Sequence, residues 1–318
     1  MTNIDGEISR LSNKDVKIRR KAVRMLFEED NPRALSGFVK LLDDTDFWFR
    51  NKSLDAHRKW ANTADDLLPL LENHKRLAAE LLQRVDAPDI ALTLLEEEDH
   101  ITRSFAAKSL ANSEELHSRF TKDEHHSVRI VAAEFSSDEN LISSLIEDKH
   151  SAVRRAAISN AAKHKLKIDS DVLDSGLSSS DPSLRSLVAT LAVNSGGEIL
   201  EKACRDINPK VRKAIADTLR SEVTEVDERI SLIASISPEI ILRWLRSRYD
   251  PQSSSLRWSL IENTSLNSRI RSKLIEQMEG RSDVDKQRLA IISEDESVLV
   301  KIAAENLSTS LEELEGEK

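Results

Sequence analysis

Apolar positions along this chain fall into short stripes at helical spacing, separated by polar turns, and the alternation recurs every 25 to 31 residues. Residues 195–220 give the clearest unit. Ile199, Leu200, Ala203, Cys204 and Ile207 form one stripe, and Val211, Ala214, Ile215, Thr218 and Leu219 form the next. The spacing predicts two amphipathic helices per unit. Asn208 stands where it caps the second helix, and Pro209 occupies the first turn, where no amide hydrogen is needed.

The second helix of each unit starts with Asp-x-x-aliphatic-Arg or a variant of it. The arginine slot reads Arg19, Arg50, Arg76, Arg103, Arg129, Arg154, Arg185, Arg212, Arg243 and Arg271, with Val300 in the last unit. Asp15, Asp46, Asp99 and Asp181 stand four residues before their arginines. Each is expected to cap its own helix and to accept charge-assisted hydrogen bonds from an arginine of the same or the adjacent unit. These residues, with Asn208, predict a structural ladder that holds the units in register. Small pairs such as Ala106-Ala107, Ala132-Ala133 and Ala156-Ala157 follow the arginine and allow close helix packing.

A period of this length predicts a stacked α-solenoid: all-α, about eleven antiparallel helix pairs, each unit contacting only its neighbours. Residues 1–308 are read as one array and residues 309–318 as an acidic C-terminal tail. Val300 in place of arginine suits a capping unit.

DPSLRSLVATLA, NPKVRKAIADTL and HHSVRIVAAE resemble HEAT repeats of the short, phycobilisome-lyase type. The likeness covers nearly the whole chain and is weakest at residues 60–82 and 238–280. It implies an armadillo-like array of outer and inner helices whose concave inner face binds partners. Two enzyme families are similar to this repeat type. Alkylpurine DNA glycosylases use a tryptophan-lined basic cleft with a catalytic aspartate, and here only Asp55 between Trp48 and Trp60 is comparable. Deoxyhypusine hydroxylases need paired His-Glu steps, and the chain has no His-Glu dipeptide.

Composition narrows the function classes. Aromatics make up 4% of 318 residues and the formal net charge is −9, so the molecule as a whole repels nucleic acid and anionic membranes. Counting charges one and five places after each slot leaves the predicted inner face nearly neutral. The single Cys204, among aliphatic neighbours, reads as a small core residue. The opening MTNIDGEISRLSNKD has no apolar run, and a cytoplasmic, monomeric protein with no cofactor and no membrane contact is expected.

Candidate chemistry lies where the pattern deviates. Residues 243–273 carry Arg243, Arg246, Arg248, Arg257, Arg269, Arg271 and Lys273 against Asp250 and Glu262, interleaved with Trp244, Tyr249 and Trp258. Such a mixture binds an acidic protein segment or nucleic acid, or fills a core. Phe47, Trp48, Phe49 and Trp60 concentrate four of the twelve aromatics in the second unit, with Phe49 in the core and Trp48 a candidate anchor. His100, His125, His126 and His150 precede consecutive arginines and should stack at neighbouring turns, where they could bind a metal, sense pH or simply cap helices. The reading that follows is a non-catalytic scaffold that binds a protein partner at Trp48, Trp60, Trp244, Arg246, Arg248, Arg257, Trp258, Arg269 and Lys273. Nucleic acid at residues 243–273 is the alternative, and a lyase-type chaperone subunit a further one.

Overall fold

A computed structural model of the protein describes residues 3–281 and 283–316. Among them are 22 α-helices and no strand, and the helices fall into eleven consecutive pairs: the protein is an α-solenoid. Contacts gather into two compact units, residues 1–166 and 167–318.

The first unit contains α1 (Ile4–Arg10), α2 (Val16–Glu29), α3 (Leu35–Phe38), α4 (Phe47–Trp60), α5 (Ala64–Leu67) and α6 (Lys75–Leu81). It continues with α7 (Pro88–Leu94), α8 (His100–Ser109), α9 (Glu114–Phe120), α10 (His126–Phe135), α11 (Glu139–Ile146) and α12 (Ser151–Lys163). Second helices pack side by side, α6 on α8, α8 on α10 and α10 on α12, while α8, α10 and α12 each also pack on their own first helix. Ala106, Ala107, Ala132, Ala133 and Ala157 are fully buried at these contacts, where small side chains let backbones approach.

The second unit contains α13 (Ser170–Leu177), α14 (Pro182–Ser195), α15 (Gly197–Cys204), α16 (Pro209–Glu222) and α17 (Glu228–Ile236). It ends with α18 (Pro238–Leu245), α19 (Pro251–Glu262), α20 (Ser268–Glu276), α21 (Lys286–Ile292) and α22 (Val298–Gly316). Here α14, α16, α18, α20 and α22 form the row of second helices. Gly176 sits where α13 meets α14, and an added Cβ would lie 2.7 Å from Val188 Cγ2. Cys204 is buried, and that burial pushes its thiol up to about 12, so it is a core residue. Ile207, expected on the first stripe, is 87% exposed because α15 ends at Cys204 and leaves it in the turn. The acidic segment from Thr309 continues as helix to Gly316, with Leu311 buried. The last two residues of the segment read as a tail, Glu317 and Lys318, lie outside the described residues.

The caps form as the sequence pattern dictates. Asp15, Asp46, Asp99, Asp181 and Asn208 each accept the N–H two residues on, at 2.8 to 3.3 Å. The carboxylate that receives the arginine is a different one. It belongs to the aspartate two residues before the cap of the next repeat. Arg103 Nε donates to Asp123 at 2.9 Å, Arg129 Nε to Asp148 at 2.7 Å and Arg185 Nε to Asp206 at 2.6 Å. Arg19 with Asp44 and Arg271 with Asp295 make the same rung. Each arginine from Arg50 to Arg185 in a matching repeat also donates Nη1 to the carbonyls five and six residues upstream: Arg50 to Asp44 and Thr45, Arg103 to Glu97 and Glu98, Arg129 to Asp123 and Glu124, Arg154 to Asp148 and Lys149, Arg185 to Ser179 and Ser180. The first unit therefore holds a continuous relay, Arg103 to the Asp123 turn to Arg129 to the Asp148 turn to Arg154.

Three slots shift. In the third repeat the helix is led by His74, which makes no side-chain cap, so the position four residues on is buried Ala78, and Arg76 stands exposed. In the ninth, Ser237 leads α18 and the slot is Ile241, so Arg243 lies on the surface, 3.4 Å from Asp217. The ninth repeat also has no aspartate before its cap, so Arg212 turns to Glu239 at 3.1 Å. In the last, Val300 is the buried aliphatic position and Lys301 takes the arginine's place.

Candidate partner-binding surface

The aromatic-rich second repeat divides between core and surface. Trp60 is buried against Phe27 and Phe38, with ring centroids 4.9 and 5.7 Å away, and its Nε1 donates to Asp30 at 2.9 Å. It therefore offers no contact to a partner. Trp48 is half-buried beneath the Arg20 guanidinium, and Phe49 is fully buried. The ring most open to solvent is Phe47, at 66%, which the sequence pattern did not single out although it occupies the first helical position, where a side chain has few neighbours. Asp55 is held by Lys52 at 2.8 Å and by Arg58 at 3.8 Å, so no catalytic aspartate stands free between the tryptophans.

The basic segment is also divided. Trp244 is fully buried and donates Nε1 to Val223 O at 2.9 Å; Trp258 is buried as well. Arg248 is engaged with the carbonyls of Val223 and Thr224, at 2.7 Å each. Arg257 is buried: Nη2 donates to Leu245 O at 2.6 Å and Arg248 O at 2.8 Å, Nε has no partner, and the Tyr249 ring lies 4.9 Å away. Burial pulls its pKa down. Trp244, Arg257 and Trp258, expected at the partner surface, are core residues because this region has few small side chains and fills its volume with large ones.

Arg243, Arg246 and Lys273 remain. They line an open groove between α18 and α20 together with Leu242, Glu239 and Glu276. Arg246 and Lys273 are exposed and make no ion pair among the described residues. Arg269 is exposed but lies outside the groove lining. One repeat further, Leu299, Ile302 and Ala303 of α22 line a second groove with Ser272 and Glu276 of α20 and Glu279 just beyond it. Both grooves draw on residues one and five after the slot, among them Leu242, Arg246, Ser272, Glu276 and Ile302.

The four histidines stack. Ring centroids are 3.7 Å apart for His100 and His125, 4.3 Å for His125 and His126, and 3.7 Å for His126 and His150. His125 and His150 are caps whose Nδ1 accepts the backbone N–H two residues on, both at 3.3 Å. That role requires an unprotonated Nδ1. The His100–His125 and His126–His150 rings lie face to face, the His125–His126 pair is tilted by 35°, and among the described residues no group of three His, Cys, Asp or Glu side chains is placed to hold a metal ion.

Burial, the neighbouring imidazoles His100 and His150, and Arg103 and Arg129 lower the pKa of His125 and His126, with Asp123 opposing at His125. Glu98 and Asp99 at the start of α8, Glu124 beside His125, and Asp148 and Lys149 before His150 are the other charges at these turns. A histidine whose pKa is depressed on folding binds a proton more readily unfolded, so its contribution is full above about 6.5 and is lost as pH falls through the folded value. Melting of the first unit should therefore drop between pH 7 and 5. His126→Gln should flatten that slope, and an unchanged slope in this variant would refute the assignment; buried His57, also lowered, stays as a constant background.

No protein-family model matches the chain, and no curated protein does. Solved structures with a similar arrangement include an engineered protein, 15% identical over 98% of this chain and 99% of that one, with a TM-score of 0.34. Human deoxyhypusine hydroxylase in complex with glycerol is 14% identical over 98% and 96%, TM-score 0.23. A designed armadillo repeat protein in complex with the peptide (KR)4 is 14% identical over 98% and 100%, TM-score 0.20. Likeness of this degree carries no argument. Among the described residues no helix is long and apolar enough to cross a membrane.

Proposed function

We propose that the protein is a non-catalytic scaffold of the short HEAT type, which holds an acidic segment of a protein partner in the groove between α18 and α20. One observation carries the reading: Arg246 and Lys273 face the groove from its two walls, exposed and without ion pairs among the described residues. The slot arginines Arg129, Arg185 and Arg271, by contrast, are consumed by rungs and carbonyls. Cations on a rigid helical frame lose little entropy on binding and steer an acidic chain to the site. Nucleic acid at residues 243–273 has less to hold it, since Trp244 and Trp258 are buried and present no face for a base.

Acidic 12-residue peptides, read by fluorescence anisotropy at low salt, test this. Arg246→Glu with Lys273→Glu is expected to weaken the best binders at least tenfold, as loss of two charge contacts implies. Arg269→Glu is expected to leave them alone. Equal binding by wild type and the double variant, or none at all, would contradict the assignment.

A further inference from the structure

The groove of α18 and α20 and the groove of α20 and α22 share Glu276 and so lie side by side. Their chemistry differs. The first presents Arg243, Arg246 and Lys273; the second presents Leu299 and Ile302, which are 51% and 48% exposed despite being aliphatic. Glu276 and Glu279 stand on the α20 side of this apolar groove. One place after the slot, other repeats carry Ser104, Ile130, Arg155, Ser186, Lys213, Leu242 and Ser272; Ile130 and Leu242 are half-buried, whereas Ile302 is an exposed aliphatic at this position.

Resting on the proposed function, we infer that the ligand is a two-anchor linear segment: an acidic side chain for Arg246 and Lys273, and an aliphatic side chain three residues away for Leu299 and Ile302. Charge decides which anchor goes where. A carboxylate in the second groove would face Glu276 and Glu279 with no cation in the lining, whereas the first sets Arg243, Arg246 and Lys273 against Glu239 and Glu276. An aliphatic chain in the first would strip water from cations it cannot pair. Distance decides the spacing. Neighbouring helices pack about 8–10 Å apart, so the grooves repeat at that step. A polyproline II segment has three residues per turn and rises about 3.1 Å per residue, so side chains i and i+3 share one face about 9 Å apart. Strict β alternation would set i and i+3 on opposite faces.

Four 12-residue peptides in a Pro/Ser/Ala background test this: Asp-x-x-Leu, Leu-x-x-Asp, adjacent Asp-Leu, and Asp-x-x-Ser. One of the two three-residue spacings should bind about tenfold tighter than the adjacent and serine peptides, the worth of one largely buried aliphatic side chain. In a Leu299→Ser, Ile302→Ser variant, whose substituted positions are exposed and whose helicity is checked by circular dichroism, that advantage should vanish while Asp-x-x-Ser binds as before. If leucine and its spacing make no difference, or the serine variant keeps the advantage, the two-anchor inference is overturned and the acidic groove stands. If no acidic peptide binds at all, both fall.

Discussion

Arg129→Ala should cost the first unit about 3–5 kcal/mol of stability, the range for removing one partner of a buried ion pair. Arg129 and Asp148 are both nearly inaccessible, with side chains 6% and 10% exposed. Burial alone would raise Asp148, and the hydrogen bonds from Arg129 and from the His150 amide outweigh it, holding the carboxyl below its usual range. Without the guanidinium that carboxylate loses its countercharge, and the carbonyls of Asp123 and Glu124 lose a donor at 2.9 Å. Because those carbonyls lie in the turn carrying the Asp123 rung to Arg103, the damage should reach α8. Denaturant unfolding checks the size of the loss. A value under about 1 kcal/mol, typical of surface pairs, would refute a structural ladder.

Arg257→Glu should be still more disruptive in the second unit. The guanidinium is 2% exposed and donates to two carbonyls, which a carboxylate cannot replace as a donor. An uncompensated negative charge facing carbonyl oxygens costs at least as much as a broken buried pair, more than about 4 kcal/mol. Arg257→Met, which keeps most of the volume and loses only the donors, should cost less. Circular dichroism and thermal melting separate the two. Equal, near-native melting of both variants would mean that this side chain is not buried as described. Reading Arg257 from sequence as a surface contact failed because its spacing matches that of the exposed cations, and nothing local distinguishes a cation that reaches solvent from one that ends on carbonyls.

Much of the architecture was legible. Two stripes per period gave the helix pairs, and Asp or Asn before Pro or a small residue gave the caps. The rung acceptors were in the sequence too: Asp123-x-His125, Asp148-x-His150 and Asp206-x-Asn208 repeat an aspartate two places before the cap. That signal was hidden because the cap aspartates drew the pairing. The slips at Arg76, Arg243 and Val300 fall in repeats whose second helices are led by His74, Ser237 and Ser297, where no Asp or Asn marks the start and the register was set by an arginine or an aliphatic residue alone. Stacked histidines at consecutive turns followed from the period. The candidate site was legible only as a region. Burial sorted it, taking Trp244 and Trp258 inward by filling space with large rings and leaving Arg246 and Lys273 at the groove. The apolar neighbour at Leu299 and Ile302 was missed because the register of the last repeat was set one residue early.

The claim that ladder arginines hold the stack while binding occurs at the inner grooves of the second unit is tested most directly by hydrogen exchange with and without a saturating Asp-x-x-Leu or Leu-x-x-Asp peptide. The account predicts added protection in α18, α20 and the first half of α22, with α8, α10 and α12 unchanged. Protection centred on the rung helices of the first unit, or none in α18 and α20 under saturation, would contradict it.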